Sequence, residues 1–205
     1  MTPPLTIGLA TGMHSVVAAY IKEAIESAAE KAKCEVRMLE CHIPMEKSKE
    51  NAREEVARAS ALELERLGAD VIVLGDYRSE IFIPTLRTEV KTPILSFLEA
   101  GKRFTLEHQI RRIGLIGNVF PLSYFQEEYP GIEFLEAEST SERVNSDNIE
   151  VICEYTDRLK GTECDIFFPN CGRIAGQVPA LLALHYPFLD IFRLGTESLF
   201  QKKNS

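Results

Sequence analysis

Two residues that follow apolar runs of the chain have side chains able to move protons. Cys171 follows the run 166–168, and Asp76 follows the β-branched and leucine run Val71–Leu74 by one glycine. A thiol where a strand enters a helix lies near exposed helix N–H groups, which lower its pKa from about 8.5 towards neutrality. A carboxylate in a desolvated pocket has a raised pKa and can act as acid or base. The two side chains therefore predict acid/base chemistry that needs no metal.

Both residues also have simpler interpretations. Free cysteine is among the most buried residue types, so Cys171 could be a small core filler. An unpaired carboxylate would be costly at the end of an apolar strand, so Asp76 is functional, paired or capping. Arg78 could neutralise Asp76, and Asp76 could cap the helix that begins near Arg78.

Small and polar residues near these positions could bind a substrate. Arg78 and Arg173 could each hold a carboxylate bidentately, although both also suit a solvated helix surface. Turn formation and helix capping explain Thr11, Ser15 and Asn118 almost as well as ligand binding does. The predicted substrate-binding residues are Thr11, Gly12, His14, Ser15, Tyr77, Arg78, Asn118, Val119, Gly172 and Arg173.

The elements that must position these residues alternate between strand and helix. Apolar runs predict strands at 5–10, 36–39, 71–74, 93–97, 113–116, 132–135 and 166–168. Helical spacing and capping residues predict helices between them, including 49–67 with Ser48 as its cap, 76–90, 100–109 and one that Ser146 caps. Such alternation predicts parallel sheets whose ligands bind beyond the carboxyl ends of the strands.

An internal repeat sets the predicted architecture. Residues 69–86, ADVIVLGDYRSEIFIPTL, align without a gap with residues 164–181, CDIFFPNCGRIAGQVPAL. The segment TIGLATGMHS, from Thr6, likewise aligns with RIGLIGNVFP, from Arg112. The alignment pairs Asp70 with Asp165, Asp76 with Cys171, Arg78 with Arg173 and Pro84 with Pro179.

The repeat predicts an α/β fold of two pseudosymmetric halves, 1–98 and 99–205. Each half is expected to be a mostly parallel sheet flanked by helices, with a ligand cleft between the halves. A C-terminal helix could pack back on the first half. In this arrangement Asp76 and Cys171 would approach a shared ligand from opposite sides.

Composition narrows the class of partner. The chain has 205 residues, of which 45% are hydrophobic and 26% charged, and its net charge is -8. The acidic balance disfavours nucleic acid and anionic membranes as partners, and the longest apolar runs are shorter than the roughly 20 residues that span a bilayer. The expected partner is a small molecule with a carboxylate or carbonyl group, and a homo-oligomer is left open.

Cysteine, histidine and glycine patterns exclude several kinds of site. The five cysteines form no CxxC pair, which favours free thiols over disulfides or structural zinc. His42, His108 and His185 show no metal-ligand spacing, and no dinucleotide-binding or P-loop motif follows a strand. We therefore expect no metal site and no nucleotide cofactor bound through those motifs. The N-terminal segment lacks the pattern of a secretory signal, so a cytoplasmic location is expected.

The chain resembles the aspartate/glutamate/hydantoin racemase superfamily. The segment DIFFPNCGRIAG is similar to that family's apolar strand, second catalytic cysteine and small-residue turn. The segment GADVIVLGDYRS, followed by a helix and Pro93, is similar to the first cysteine segment. The resemblance implies two pseudosymmetric α/β halves, no cofactor and a catalytic role for Cys171. The chain departs from the family where Asp76 replaces the first cysteine.

The resemblance implies an isomerase. The expected enzyme is a cofactor-independent racemase or epimerase that acts on an amino-acid-like or hydantoin-like carboxylate or carbonyl compound, with Asp76 and Cys171 as opposed acid/base groups. Because the thiol pair is missing, other functions stay open. They are an arylmalonate-decarboxylase-like or maleate-isomerase-like enzyme that uses Cys171 alone, and a ligand-binding homologue without turnover.

Overall fold

The computed structural model describes residues 3–12, 15–45, 51–136 and 146–201. These residues group into two compact units. The first unit extends to Phe97 and resumes at Gly195, and the second unit is Leu98–Leu194. Each unit contains one parallel sheet flanked by helices, which confirms the predicted α/β class. Within the described ranges, no helix combines the length and apolar character needed to cross a membrane.

The first unit contains a four-stranded sheet in the order β2-β1-β3-β4. Its strands are β1 Leu5–Ala10, β2 Val36–Cys41, β3 Val71–Leu74 and β4 Ile94–Leu95. Its helices are α1 Ser15–Ala32, α2 Ala52–Arg66, a 3-10 helix Tyr77–Phe82 and α3 Ile83–Glu89. All four residues of β3 are buried, as expected for a parallel strand with a helical layer on both faces.

The second unit contains a three-stranded sheet in the order β6-β5-β7. Its strands are β5 Arg112–Ile116, β6 Glu133–Glu136 and β7 Ile166–Pro169, and Phe188 forms a parallel bridge to Phe167 of β7. The helices are α4 Phe97–Glu107, α5 Leu122–Glu128, α6 Ile149–Asp157, α7 Gly172–Ala183 and α8 Ile191–Gln201. The chain passes between the units within α4 and again within α8.

Strand register reproduces the sequence repeat. β1 pairs Ile7 with Val71 of β3, and β5 pairs Ile113 with Ile166 of β7, which are the positions that the repeat aligns. In each unit, an aspartate precedes the third strand, and its side chain accepts a hydrogen bond from a backbone N–H near the start of the first strand. Asp70 accepts from Thr6 at 2.7 Å, and its counterpart Asp165 accepts from Arg112 at 2.9 Å. The two units therefore align these strands in the same way.

Three local predictions need correction. The helix predicted at 76–90 is a 3-10 helix followed by α3, because Pro84 lies in the first turn of α3. The strand predicted at 93–97 is shorter, since Phe97 already belongs to α4. Ser146 is not the cap of α6. Asn148 is the cap and accepts from the backbone N–H of the second and third residues of α6, whereas the Ser146 hydroxyl accepts from the Asn148 N–H at 3.0 Å. Ser48 lies outside the described residues.

Candidate functional site

Asp76 lies at the carboxyl edge of the first sheet, two residues past the end of β3 and at the start of the 3-10 helix. Its backbone is extended, with φ −144° and ψ 120°. Its side chain makes no capping bond to the helix backbone among the described residues, so the capping interpretation is wrong. Asp76 is only 3% exposed. A carboxylate this buried requires a charge partner or hydrogen-bond donors.

The partner of Asp76 is Arg53, which belongs to the first turn of α2. The Arg53 guanidinium forms an ion pair with Asp76 Oδ2, and the Ser79 hydroxyl donates to the same oxygen at 3.0 Å. The prediction that Arg78 could neutralise Asp76 is therefore wrong, and Arg78 is exposed. The order of strands and helices could have indicated Arg53 as the partner, because a helix that follows a parallel strand begins at the carboxyl edge of the sheet. The first turn of α2 is therefore expected near Asp76.

Two glycines allow the loops of the first unit to pack closely. The Gly75 N–H donates to Ala10 O at 2.9 Å, and a Cβ at Gly75 would lie 2.1 Å from that oxygen. A Cβ at Gly12 would lie 1.8 Å from Ile43 O. Each position therefore excludes any larger residue unless the backbone moves. Gly12, predicted as a binding residue, has a clear packing role.

Thr11 lies at the carboxyl end of β1 and contacts the end of β2. Its N–H donates to Cys41 O at 2.9 Å, and its hydroxyl lies 3.3 Å from His42 Nδ1. No role was predicted for His42, yet it lies beside a predicted binding residue. Burial raises the pKa of the Cys41 thiol at the end of β2, so this thiol ionises less readily than that of a solvated cysteine.

The remaining predicted residues of the first unit differ in exposure. Ser15 is the first residue of α1 and is exposed. Tyr77 is 3% exposed and begins the 3-10 helix immediately after Asp76. His14 lies outside the described residues. The structure thus places Thr11, Gly12 and Tyr77 in the loops around the carboxyl edge of the first sheet, and it brings Arg53 to the same edge.

Cys171 occupies the corresponding position in the second unit. It lies between β7 and α7, with an extended backbone of φ −166° and ψ 135°, and is 5% exposed. Its carbonyl accepts from Ala175 N at 2.9 Å, so Cys171 directly begins the helix. Gly172 is buried in the first turn of α7, whereas Arg173 is exposed. A sulfur at the start of a helix of 12 residues lies where anions are favoured.

The turn after β5 packs against the residue that precedes Cys171. Gly117 has φ +108°, and a Cβ there would lie 2.6 Å from Asn170 O and 3.1 Å from Cys171 Cβ. Val119 is half-buried, and its N–H donates to Asn170 O at 3.1 Å, while Asn118 is exposed. Asn118 and Val119 therefore lie in the turn that contacts the Cys171 segment, and their binding role stays a prediction.

Comparisons with known proteins establish the fold. The sequence matches no protein-family model and no curated protein. The chain is similar in structure to an aspartate racemase homologue from Pyrococcus horikoshii OT3, with a TM-score of 0.78 and 13% identity over 98% of this chain and 100% of that one. It is similar to allantoin racemase from Klebsiella pneumoniae, with a TM-score of 0.67 and 15% identity over 97% and 86% of the two chains.

Arylmalonate decarboxylase is a further similar structure, with a TM-score of 0.57 and 14% identity over 96% of this chain and 92% of that one. Identities this low establish the fold alone. The fold that the resemblance to the aspartate/glutamate/hydantoin racemase superfamily implies is therefore confirmed.

Proposed function

We propose that this protein is a cofactor-independent racemase or epimerase that moves a proton at a carbon next to a carboxylate or carbonyl group. The observation that supports it is the equivalent placement of Cys171 and Asp76. Each is an extended, buried residue between a parallel strand and the first turn of a helix. The racemase-like fold supports an enzyme of this kind. Amino acids and hydantoins are the substrate classes we propose.

The two groups would exchange protons with the substrate carbon in one cycle. The Asp76 carboxylate takes the α-proton, and the C–H electron pair moves into the adjacent carbonyl to give an enediolate. The Cys171 thiol then gives its proton to the opposite face of the carbon and becomes a thiolate. The N-terminal N–H groups of α7 favour negative charge at the sulfur or at a nearby substrate carboxylate. Exchange with solvent, or turnover in the reverse direction, restores both groups.

Arg53 gives Asp76 a defined part in this cycle. The ion pair and the Ser79 hydroxyl bind the anionic carboxylate, so Asp76 starts the cycle as the proton acceptor. When Asp76 becomes protonated, Arg53 loses a charged partner and gains one again when the proton leaves.

Isotope exchange in deuterated water tests the proposal. Aspartate, glutamate and 5-substituted hydantoins are incubated with the wild type, Cys171→Ala and Asp76→Asn, and deuterium at the α-carbon is followed by proton NMR. We expect exchange in the wild type and its loss in both variants. Cys164→Ala removes a half-buried thiol from the same unit as Cys171 and should leave exchange unchanged. Deuterium exchange in Cys171→Ala at the rate of the wild type would refute the proposal.

A decarboxylase that uses Cys171 alone is a second candidate. The observation in its favour is that Arg53 and Ser79 both bind the Asp76 carboxylate, whereas this reaction needs only the Cys171 thiol. Loss of carbon dioxide would leave an electron pair on the substrate carbon, and the Cys171 thiol would protonate it. Carbon dioxide release from an aryl-substituted malonate would be measured. Release that persists in Asp76→Asn and stops in Cys171→Ala would favour this candidate over the racemase.

A further inference from the structure

Asn170 is a buried polar residue with no predicted role. It lies between β7 and Cys171 and has 0% exposure. Its Oδ1 accepts from the Phe120 N–H at 3.0 Å, and its Nδ2 donates to Phe120 O at 2.7 Å. Nδ2 also lies 3.4 Å from Gly117 O. One side-chain amide thus binds both backbone groups of Phe120 and reaches the start of the same turn.

The backbone of Asn170 binds the same turn. Its N–H donates to Ile116 O at 2.7 Å, and its carbonyl accepts from the Val119 N–H at 3.1 Å. The turn 117–120 is therefore fixed to a single residue by both backbone and side chain. Because Cys171 is the next residue in the chain, any movement of this turn relative to Asn170 changes the surroundings of the thiol.

The first unit shows that the fold does not require this side chain. Gly75 is the repeat counterpart of Asn170, and its N–H donates to Ala10 O just as the Asn170 N–H donates to Ile116 O. The backbone bond is therefore common to both units, whereas the amide bonds occur in the unit that contains Cys171. A buried amide costs free energy unless its hydrogen bonds are made, and those of Asn170 are directed at the turn beside the thiol.

We infer that Asn170 is a positioning residue for the Cys171 thiol. By fixing the turn 117–120, it keeps the sulfur and the exposed Asn118 at a constant separation while a substrate carbon receives a proton. This inference rests on the proposed role of Cys171 as an acid/base group. Misplacement of a reacting group by about 1 Å can cost on the order of a hundredfold in rate, so a fixed turn has a direct kinetic effect.

Alkylation of Cys171 tests the positioning without a substrate. Asn170→Gly installs the residue found at the counterpart position, and Asn170→Asp keeps the shape but places an oxygen against Phe120 O. Each protein is treated with iodoacetamide, and mass spectrometry follows labelling of Cys171 with Cys164 as internal reference. We expect Cys171 to be labelled at least about fivefold faster in both variants, because its 5% exposure rises when the turn loosens.

Asn148→Gly is the matched control for lost stability. Asn148 also uses its side-chain oxygen to bind backbone N–H groups of the second unit, at the start of α6. Its loss should lower the melting temperature without changing the ratio of Cys171 to Cys164 labelling. If neither Asn170 variant alters the labelling ratio, or if Asn148→Gly alters it equally, the inference is wrong.

Kinetics separate this inference from the proposed function. With the substrate that shows deuterium exchange, Asn170→Gly should lower kcat at least about tenfold and change KM less than about threefold. A kcat within twofold of the wild type, with Cys171→Ala inactive, overturns the inference and leaves the proposed function intact. Deuterium exchange that persists in Cys171→Ala overturns the proposed function. In that case the ratio of Cys171 to Cys164 labelling alone decides whether Asn170 positions the thiol.

Discussion

Removal of Arg53 should leave a buried carboxylate without its cation. Asp76 is 3% exposed, and its side-chain oxygen Oδ2 binds both the Arg53 guanidinium and the Ser79 hydroxyl. In Arg53→Met the hydroxyl is retained, and the methionine keeps much of the apolar stem. The variant therefore isolates the loss of the positive charge from the loss of packing.

The expected magnitude follows from the burial of the two partners. Breaking a fully buried ion pair costs about 3 to 5 kcal/mol, mostly because the remaining charge is uncompensated. The Arg53 side chain is 26% exposed, so water can partly replace it. We therefore expect Arg53→Met to lower the free energy of unfolding by about 2 to 3 kcal/mol. Asp76→Asn should cost less, and the double variant should fall short of the sum by about 1 to 2 kcal/mol.

Urea unfolding at pH 7, followed by circular dichroism, measures all three variants. Arg58→Met is the matched control, because Arg58 belongs to the same helix and pairs with Glu89 with 42% of its side chain exposed. Its loss should cost less than about 1 kcal/mol. Additivity of the Arg53 and Asp76 variants within about 0.5 kcal/mol would show that the two side chains are not energetically coupled, and the argument would fail.

Gly117→Ala should lower the melting temperature more than twice as far as Gly161→Ala, because both have positive φ but only Gly117 has atoms within 4 Å of a new Cβ. Equal shifts by circular dichroism would contradict the steric argument. Two backbone N–H groups lower the pKa of Asp165, so its stabilising effect is present above about pH 4 and is lost as the pH falls. The destabilisation by Asp165→Asn should therefore shrink between about pH 5 and pH 3 in urea titrations, and a constant difference would refute this. Burial raises the pKa of Cys41, so at pH 8 iodoacetamide should label Cys34 at least about tenfold faster than Cys41, and equal rates would exclude that effect.

The strand pattern was predictable because it depends on neighbouring residues. The runs Leu5–Ala10 and Val71–Leu74 were predicted with the observed bounds, since each is mostly apolar and is followed by a glycine or polar residue. The repeat also gave the equivalence of Asp76 and Cys171 at the strand-to-helix junctions. Short-range periodicity and internal alignment were sufficient for these features.

The partners of the candidate site residues were not predictable in the same way. Arg53 precedes Asp76 by 23 positions, and the rest of α2 and all of β3 lie between them. Asn170 and Phe120 are 50 positions apart. Such pairs depend on the packing of elements rather than on local composition, so sequence reasoning chose the nearer Arg78 and gave Asn170 no role.

The two prolines that the repeat aligns have different effects on local structure. Pro84 lies in the first turn of α3, after a 3-10 helix, whereas Pro179 lies inside α7. The alignment predicted the equivalence of the two residues but not this difference. Proline lacks an N–H, so a helix can begin at it without loss, whereas an interior proline removes one helical hydrogen bond. The second repeat tolerates that loss because most of the apolar face of α7 is buried.

The Arg53 and Asp76 pair also restricts how this chain can change during evolution. If Asp76 mutates first, the chain retains a guanidinium without its anion, and if Arg53 mutates first, it retains a buried carboxylate without its cation. Replacement of the two residues one at a time therefore passes through a less stable intermediate in either order. A laboratory variant with cysteine at position 76 should accordingly replace the arginine in the same step.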